Sequence, residues 1–216
     1  MKQINSIRIF CLSFFFMLTS SSVIFSQSRI DSIVELGNDL VAINDYKEAE
    51  NAFDRALELD EDFIPALEGK IDVLLQMDKF SRAEKVTEQA IERYPMNPSF
   101  EMYMGKVLIE REAYQDALPH LNKAAELADK GDSLTLNKVY VTMGAAYQKL
   151  GDTQGAMEQY SKALAINKSN PNVFLYRGNL YYQRESFGQA LSDFKKVLDL
   201  DPNNHVARYN LGMCYF

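Results

Sequence analysis

The segment at residues 44–60, NDYKEAENAFDRALELD, returns four times in altered spelling: DKFSRAEKVTEQAIERY from Asp78, EAYQDALPHLNKAAELA from Glu112, GDTQGAMEQYSKALAIN from Gly151 and ESFGQALSDFKKVLDLD from Glu185. Successive starts lie 34, 34, 39 and 34 residues apart. A chain that respells one short unit at that interval stacks supersecondary units in a row, each burying its apolar face on the next.

Inside each segment apolar residues recur at helical spacing, as in Ala49, Ala52, Phe53, Ala56, Leu57 and again in Ala156, Tyr160, Ala163, Leu164. The residues before each segment show the same pattern in IDSIVELGNDLVAI, IPALEGKIDVLLQM, PSFEMYMGKVLIER, NKVYVTMGAAYQKL and PNVFLYRGNLYYQR. The unit is therefore helix, tight turn, helix. Asp45, Asp78, Asp152 and Ser186 in the turns have short side chains able to accept from the free N–H groups opening the second helix. Pro95, Pro98, Pro171 and Pro202 fall between units, where a proline cannot continue one helix but can open the next.

Small residues answer one another across the unit: Gly37 with Ala49, Gly105 with Ala117, Gly144 with Ala156, Gly178 with Ala190. A mid-helix glycine costs about 1 kcal/mol relative to alanine, so four at matching places imply a compensating gain. Close approach of the paired helices is the expected gain. Ala56, Ala90, Ala124 and Ala163 are expected to play the same part against the following unit.

The order of Gly, aromatic or Leu, Ala, aromatic, Ala and Pro within 34 residues resembles the tetratricopeptide repeat. The match covers residues 30–63, 64–97, 98–136 (a longer copy), 137–170 and 171–204, with a partial sixth at 205–216. No unit has the early tryptophan, Phe174 standing in its place in the fifth; Ile71 replaces the glycine of the second, and Glu61 and Lys168 replace the closing proline. Pro119 falls inside the second helix of the third copy and is expected to bend it or remove a hydrogen bond. The extra residues in ADKGDSLTLNK are expected to lengthen a helix or loop.

The resemblance implies an all-α, right-handed α-solenoid whose first helices line a concave groove that binds an extended peptide or a partner helix. The family's groove places fall on Val34 and Asn38, Glu68 and Asp72, Met102 and Lys106, Val141, Ala145 and Gln148, Leu175, Asn179, Tyr182 and Gln183, and Tyr209 and Met213. Of these, Met102, Lys106, Val141, Gln148, Leu175, Asn179, Tyr182, Gln183 and Tyr209 form the candidate protein-binding surface. Leu175, Tyr182 and Tyr209 read either as an apolar peptide site or as ordinary core covered by later helices. Val34, Val141 and Leu175 stand where family members that clamp a chaperone's terminal carboxylate need a leading lysine, so that clamp is not expected.

At the start, Lys2 and Arg8 precede a short apolar run from Ile9 to Leu18 and a polar small-residue stretch, the layout of a secretory signal peptide over residues 1–26. A cut between Ser26 and Gln27 leaves a short leader at 27–29, although Ile24 is bulky for that place. The other reading is an uncleaved anchor, but the run is about half of the roughly 20 residues a bilayer span needs. No membrane span is expected in the mature chain. The expected destination is the periplasm or cell envelope, with secretion the alternative.

Cleavage would take Cys11 away and leave Cys214 alone, which excludes a disulfide within the chain and a cysteine-based metal cluster. It would also take the formal charge from −7 to −9. An acidic chain with scattered Lys and Arg lacks the electrostatic footprint of a nucleic-acid binder. The two histidines, His120 and His205, lie far apart in the repeat order, and no nucleophile motif, phosphate-binding glycine loop or metal-ligand spacing is present. The expectation is a protein-binding scaffold with no catalytic residue, cofactor, metal or small-molecule substrate. The competing expectation is an N-terminal sensory or assembly module of a longer envelope signalling protein, prompted by the half-unit YNLGMCYF at the end.

Overall fold

A computed structural model describes residues 27–128 and 131–215; the signal peptide expected at 1–26, with Cys11, and the terminal Phe216 lie outside them. The described chain is built of helices and divides into two compact units, one ending at Lys79 and one starting at Phe80. The first unit holds α1 (27–42), α2 (Tyr46–Leu59) and α3 (Ile64–Gln76). The second holds α4 (Phe80–Arg93), α5 (Pro98–Glu110), α6 (Tyr114–Ala128), α7 (Ser133–Lys149), α8 (Thr153–Ile166), α9 (Pro171–Gln183), α10 (Phe187–Leu200) and α11 (His205–Met213). Among the described residues no strand occurs. The fold class is the all-α helix-pair solenoid that the period implies.

The turn inside each helix pair is the same device five times over. Asn44, Asp78, Glu112, Gly151 and Glu185 adopt φ of 61°, 56°, 62°, 79° and 58°. The next N–H, of Asp45, Lys79, Ala113, Asp152 and Ser186, donates to the carbonyl five residues back at 2.8–2.9 Å. This is the left-handed cap that absorbs the last carbonyls of a helix while reversing the chain. It also corrects one expected cap: Asp78 occupies the left-handed position itself and so does not open α4. Asp45 and Asp152 do cap α2 and α8, accepting from Glu48 N and Gly155 N, whereas Ser186 stands at the cap of α10 with no side-chain bond. The first helices use another set, Asn97, Asp132, Asn170 and Asn204, which accept from N–H groups at the start of α5, α7, α9 and α11.

The recurrent spacing of glycines has a more specific cause than the facing alanines. A Cβ on Gly37 would lie 2.7 Å from the Phe53 ring, on Gly105 2.4 Å from Leu121, on Gly144 2.4 Å from Tyr160 and on Gly178 2.8 Å from Phe194. The glycine makes room for a large side chain one turn beyond Ala49, Ala117, Ala156 or Ala190. Those four large residues are 0–1% exposed and are the centres of their hairpins. In the second repeat the sizes are exchanged in sequence: Ile71 holds the glycine place and Thr87 the large one, and both are buried.

The insertion lengthens α7, which opens at Ser133 rather than at 137 and follows Gly131 at φ 133°. Helix α6 runs unbroken through Pro119. Pro119 and Gln115, whose carbonyl loses its helical partner, both sit on the exposed side, where water can take the bond.

Candidate functional site

Three of the first helices of the second unit, α7, α9 and α11, line a cleft of about 310 Å³. Its walls are Gln148 from α7, Asn179, Tyr182 and Gln183 from α9, and Tyr209, Asn210 and Met213 from α11. Asparagine caps at the N-termini of α9 and α11 start both helices in register, so residues one period apart project to the same side.

Five of the nine candidate residues are therefore brought together: Gln148, Asn179, Tyr182, Gln183 and Tyr209. The other four are placed elsewhere. Met102 is 1% exposed and belongs to the core, because α5 is packed among α4, α6 and α7; as a surface contact it is corrected. Val141 is half-buried and packs against the cluster of Ala156, Tyr160 and Leu164. Leu175 is half-buried outside the cleft lining. Lys106 lies with its ammonium 4.7 Å above the Tyr103 ring.

Asn210 was not singled out by register, since its counterparts Tyr176 and Thr142 are not groove residues. Its Nδ2 donates to Asn179 Oδ1 at 2.8 Å, tying α11 to α9 across the cleft floor. That bond leaves the Asn179 amide nitrogen and the Asn210 carbonyl oxygen to meet an incoming group. Gln148 accepts from the Tyr160 hydroxyl at 3.1 Å, which fixes its carbonyl and leaves its NH₂ group as a donor. The Tyr182 ring meets Phe187 edge-on at 5.5 Å and so presents a fixed aromatic wall, while Tyr209 is 68% exposed.

No ionised side chain lines this cleft. The nearby cations are engaged: Arg177 grips Asp193 with two bonds of 2.8 Å, and Arg184 donates to Gln154 at 2.6 Å. Tyr160 keeps its proton well above the usual phenol range, because burial first and the neighbouring Tyr176 second disfavour the phenolate. The site is thus neutral at physiological pH, rich in carboxamides that both donate and accept.

His120 lies outside it, its Nδ1 2.7 Å from the buried Glu101 carboxylate, whose other oxygen receives Lys123 at 2.6 Å. This clamp joins α5 to α6. Among the described residues no group of three or more His, Cys, Asp and Glu is placed to hold a metal ion, and no helix is long and apolar enough to cross a membrane. The first unit has a hollow of its own, about 520 Å³, between Leu36 and Leu40 of α1 and Glu48, Asp54, Arg55 and Glu58 of α2. None of the expected groove residues lines it.

Comparison with known proteins settles the family. A family model described as TPR repeat matches residues 144–184 and again 178–216, and one described as Tetratricopeptide repeat matches 40–107. The chain is a tetratricopeptide repeat protein. Its sequence relatives include human tetratricopeptide repeat protein 6, 26% identical over 84% of this chain and 33% of that protein. Another is a TPR repeat-containing protein of Methanocaldococcus jannaschii, 28% identical over 77% of this chain and 25% of that protein. This tetratricopeptide protein spans a third or less of the length of those two relatives. Its fold is shared with a thermophilic tetratricopeptide protein of Thermus thermophilus, with a TM-score of 0.74 at 19% identity, covering 86% of this chain and 98% of that one. It is also similar to YrrB, described as a tetratricopeptide protein with an unusual peptide-binding site, with a TM-score of 0.55 at 24% identity over 82% of this chain and 89% of that one.

Proposed function

We propose that this protein is an exported, non-enzymatic scaffold that holds an extended, uncharged peptide segment of a partner protein in the cleft between α7, α9 and α11. The observation that carries the reading is the lining itself, four carboxamide side chains set among two tyrosines and a methionine, with no charge. A peptide backbone offers alternating N–H and C=O groups, and Asn and Gln side chains can meet both kinds. Tyr182 and Tyr209 add apolar faces with polar tips, which suits a surface that is wet when empty. The volume accommodates a few residues, so affinity rests on a short anchor rather than on a long track.

A pull-down from cell-envelope extract, comparing the wild type with Tyr182→Ala plus Asn179→Ala, tests the cleft. The expected result is a specific partner whose recovery falls at least tenfold with the variant; equal recovery of every bound protein overturns the reading. Export is tested separately by N-terminal sequencing of the protein from fractionated cells. A chain starting at Gln27 in the envelope fraction supports it, and an intact Met1 in the cytoplasm removes it.

A further inference from the structure

Two of the carboxamides in the cleft have their carbonyls already engaged. Gln148 accepts from the Tyr160 hydroxyl at 3.1 Å, and Asn179 accepts from the Asn210 amide at 2.8 Å. With its carbonyl held, each side chain turns a fixed NH₂ group to the cleft, so α7 and α9 both present donors. Tyr182 and Tyr209 add hydroxyls beside aromatic faces, and no ionised side chain joins them. Gln148 and Asn179 both lie in complete copies of the repeat, on helices packed from either side, α7 by α6 and α8, and α9 by α8 and α10. A ligand that suits this wall supplies carbonyls at the interval of the helices. Neighbouring helices in a packed stack lie about 8–10 Å apart. In a β-strand the carbonyls of one side recur every second residue, about 6.8 Å, and miss that interval. In polyproline II they recur every third residue, about 9.3 Å, and meet it.

We propose that the cleft takes a proline-rich segment in the polyproline II conformation, lying across α7 and α9, with carbonyls three residues apart accepting from Gln148 and Asn179. The proposal rests on the cleft reading above and narrows its partner to one class. Three properties of proline fit the lining. It brings a carbonyl without the N–H that a wall of held donors would leave unmet. Its ring packs on the faces of Tyr182 and Tyr209 and on Met213, an uncharged aromatic surface of the kind that such segments dock against. Its backbone has little freedom left to lose on binding, which matters in a cleft that holds only a few residues. Asn210 and Gln183 keep acceptors for the N–H groups of the residues between prolines.

The test titrates the whole protein into decaproline, capped at both ends and carrying a neutral dye, and reads anisotropy. Binding is expected to be at least tenfold tighter than for an equally long Gly–Ser peptide, which has the same carbonyls with N–H groups added and no preset backbone. Decaproline of D-residues, a right-handed helix with the same groups, should bind no better than the Gly–Ser peptide. Asn179→Asp and Gln148→Glu keep an acceptor for Asn210 and Tyr160 but replace the NH₂ donor, so each should melt like the wild type by circular dichroism and still bind decaproline at least tenfold more weakly. Equal binding of decaproline and the Gly–Ser peptide, or decaproline binding that both substitutions leave unchanged, overturns the proposal. The envelope pull-down separates it from the cleft reading. A partner that is lost with Tyr182→Ala plus Asn179→Ala and displaced by excess decaproline supports both. A partner that is lost with that variant but survives excess decaproline leaves the cleft reading in place and overturns this one.

Discussion

Phe53 in the first unit and Tyr160 in the second occupy the same place in the repeat, yet their surroundings differ. Phe53 is enclosed by two glycines, Gly37 of α1 and Gly69 of α3, whose added Cβ atoms would lie 2.7 and 2.4 Å from its ring. Tyr160 has Gly144 on one side and, on the other, the ring of Tyr176 at 5.7 Å, and its hydroxyl reaches out to Gln148 at the cleft. One ring is sealed and apolar; the other is wired to a surface. The repeat dictates where a large side chain must sit, but whether that side chain carries a polar tip within reach of a cleft residue decides if it only fills space or also orients a binding group.

The largest effect is expected at the sealed ring. Phe53→Ala should destabilise the protein by about 3–5 kcal/mol, since the cavity it leaves is walled by backbone and cannot collapse freely. Chemical denaturation measures this, and a loss under about 1 kcal/mol would break the contrast by showing that the ring is not enclosed. Next, Gly69→Ala should cost about 1–3 kcal/mol in spite of alanine's better helix propensity, because Phe53 has no room to withdraw.

The two hairpins also differ at their turns. Gly151→Ala should lower stability by about 1 kcal/mol, because φ of 79° suits glycine, whereas Asn44→Gly should change it by only a few tenths, since Asn tolerates that region. Thermal melts of the two variants compare them directly.

The smallest effect is expected from Tyr160→Phe, which keeps the ring and removes one hydrogen bond, at about 0.5–1.5 kcal/mol. Its signature is in pH. Burial holds the Tyr160 phenol above its ordinary 10.0, so the folded state keeps its proton more tightly than the unfolded one. The contribution is therefore full below pH 10.0 and is lost as pH rises beyond it. Denaturation midpoints of the wild type should fall faster than those of Tyr160→Phe above that pH, and parallel curves would mean that the hydroxyl is not held as described.

Much of the fold was legible because helix formation and burial leave periodic traces. The 34-residue interval, the paired apolar stripes, Asp45 and Asp152 as caps, and the glycine places could all be read without coordinates. Where reading stopped short, the missing information was relative position. Gly144 was matched with Ala156, the residue nearest in pattern, when Tyr160 one turn away is the side chain it accommodates. Asp78 looked like a cap because its chemistry is that of one, but the turn places it a residue too early. Met102 shares its repeat place with Tyr209, and only neighbouring helices distinguish a 1% exposed side chain from a 68% exposed one. The bond from Asn210 to Asn179 had no trace at all, since it joins positions that the repeat does not equate.

Sequence alone determined that the chain forms helix pairs, where they turn and which faces are apolar, because these depend on local backbone preferences and on spacing within a single helix. Tertiary structure decided which members of an equivalent set become core and which become cleft. Those outcomes depend on what packs against each helix from far away in the chain, and a repeating pattern carries no record of that.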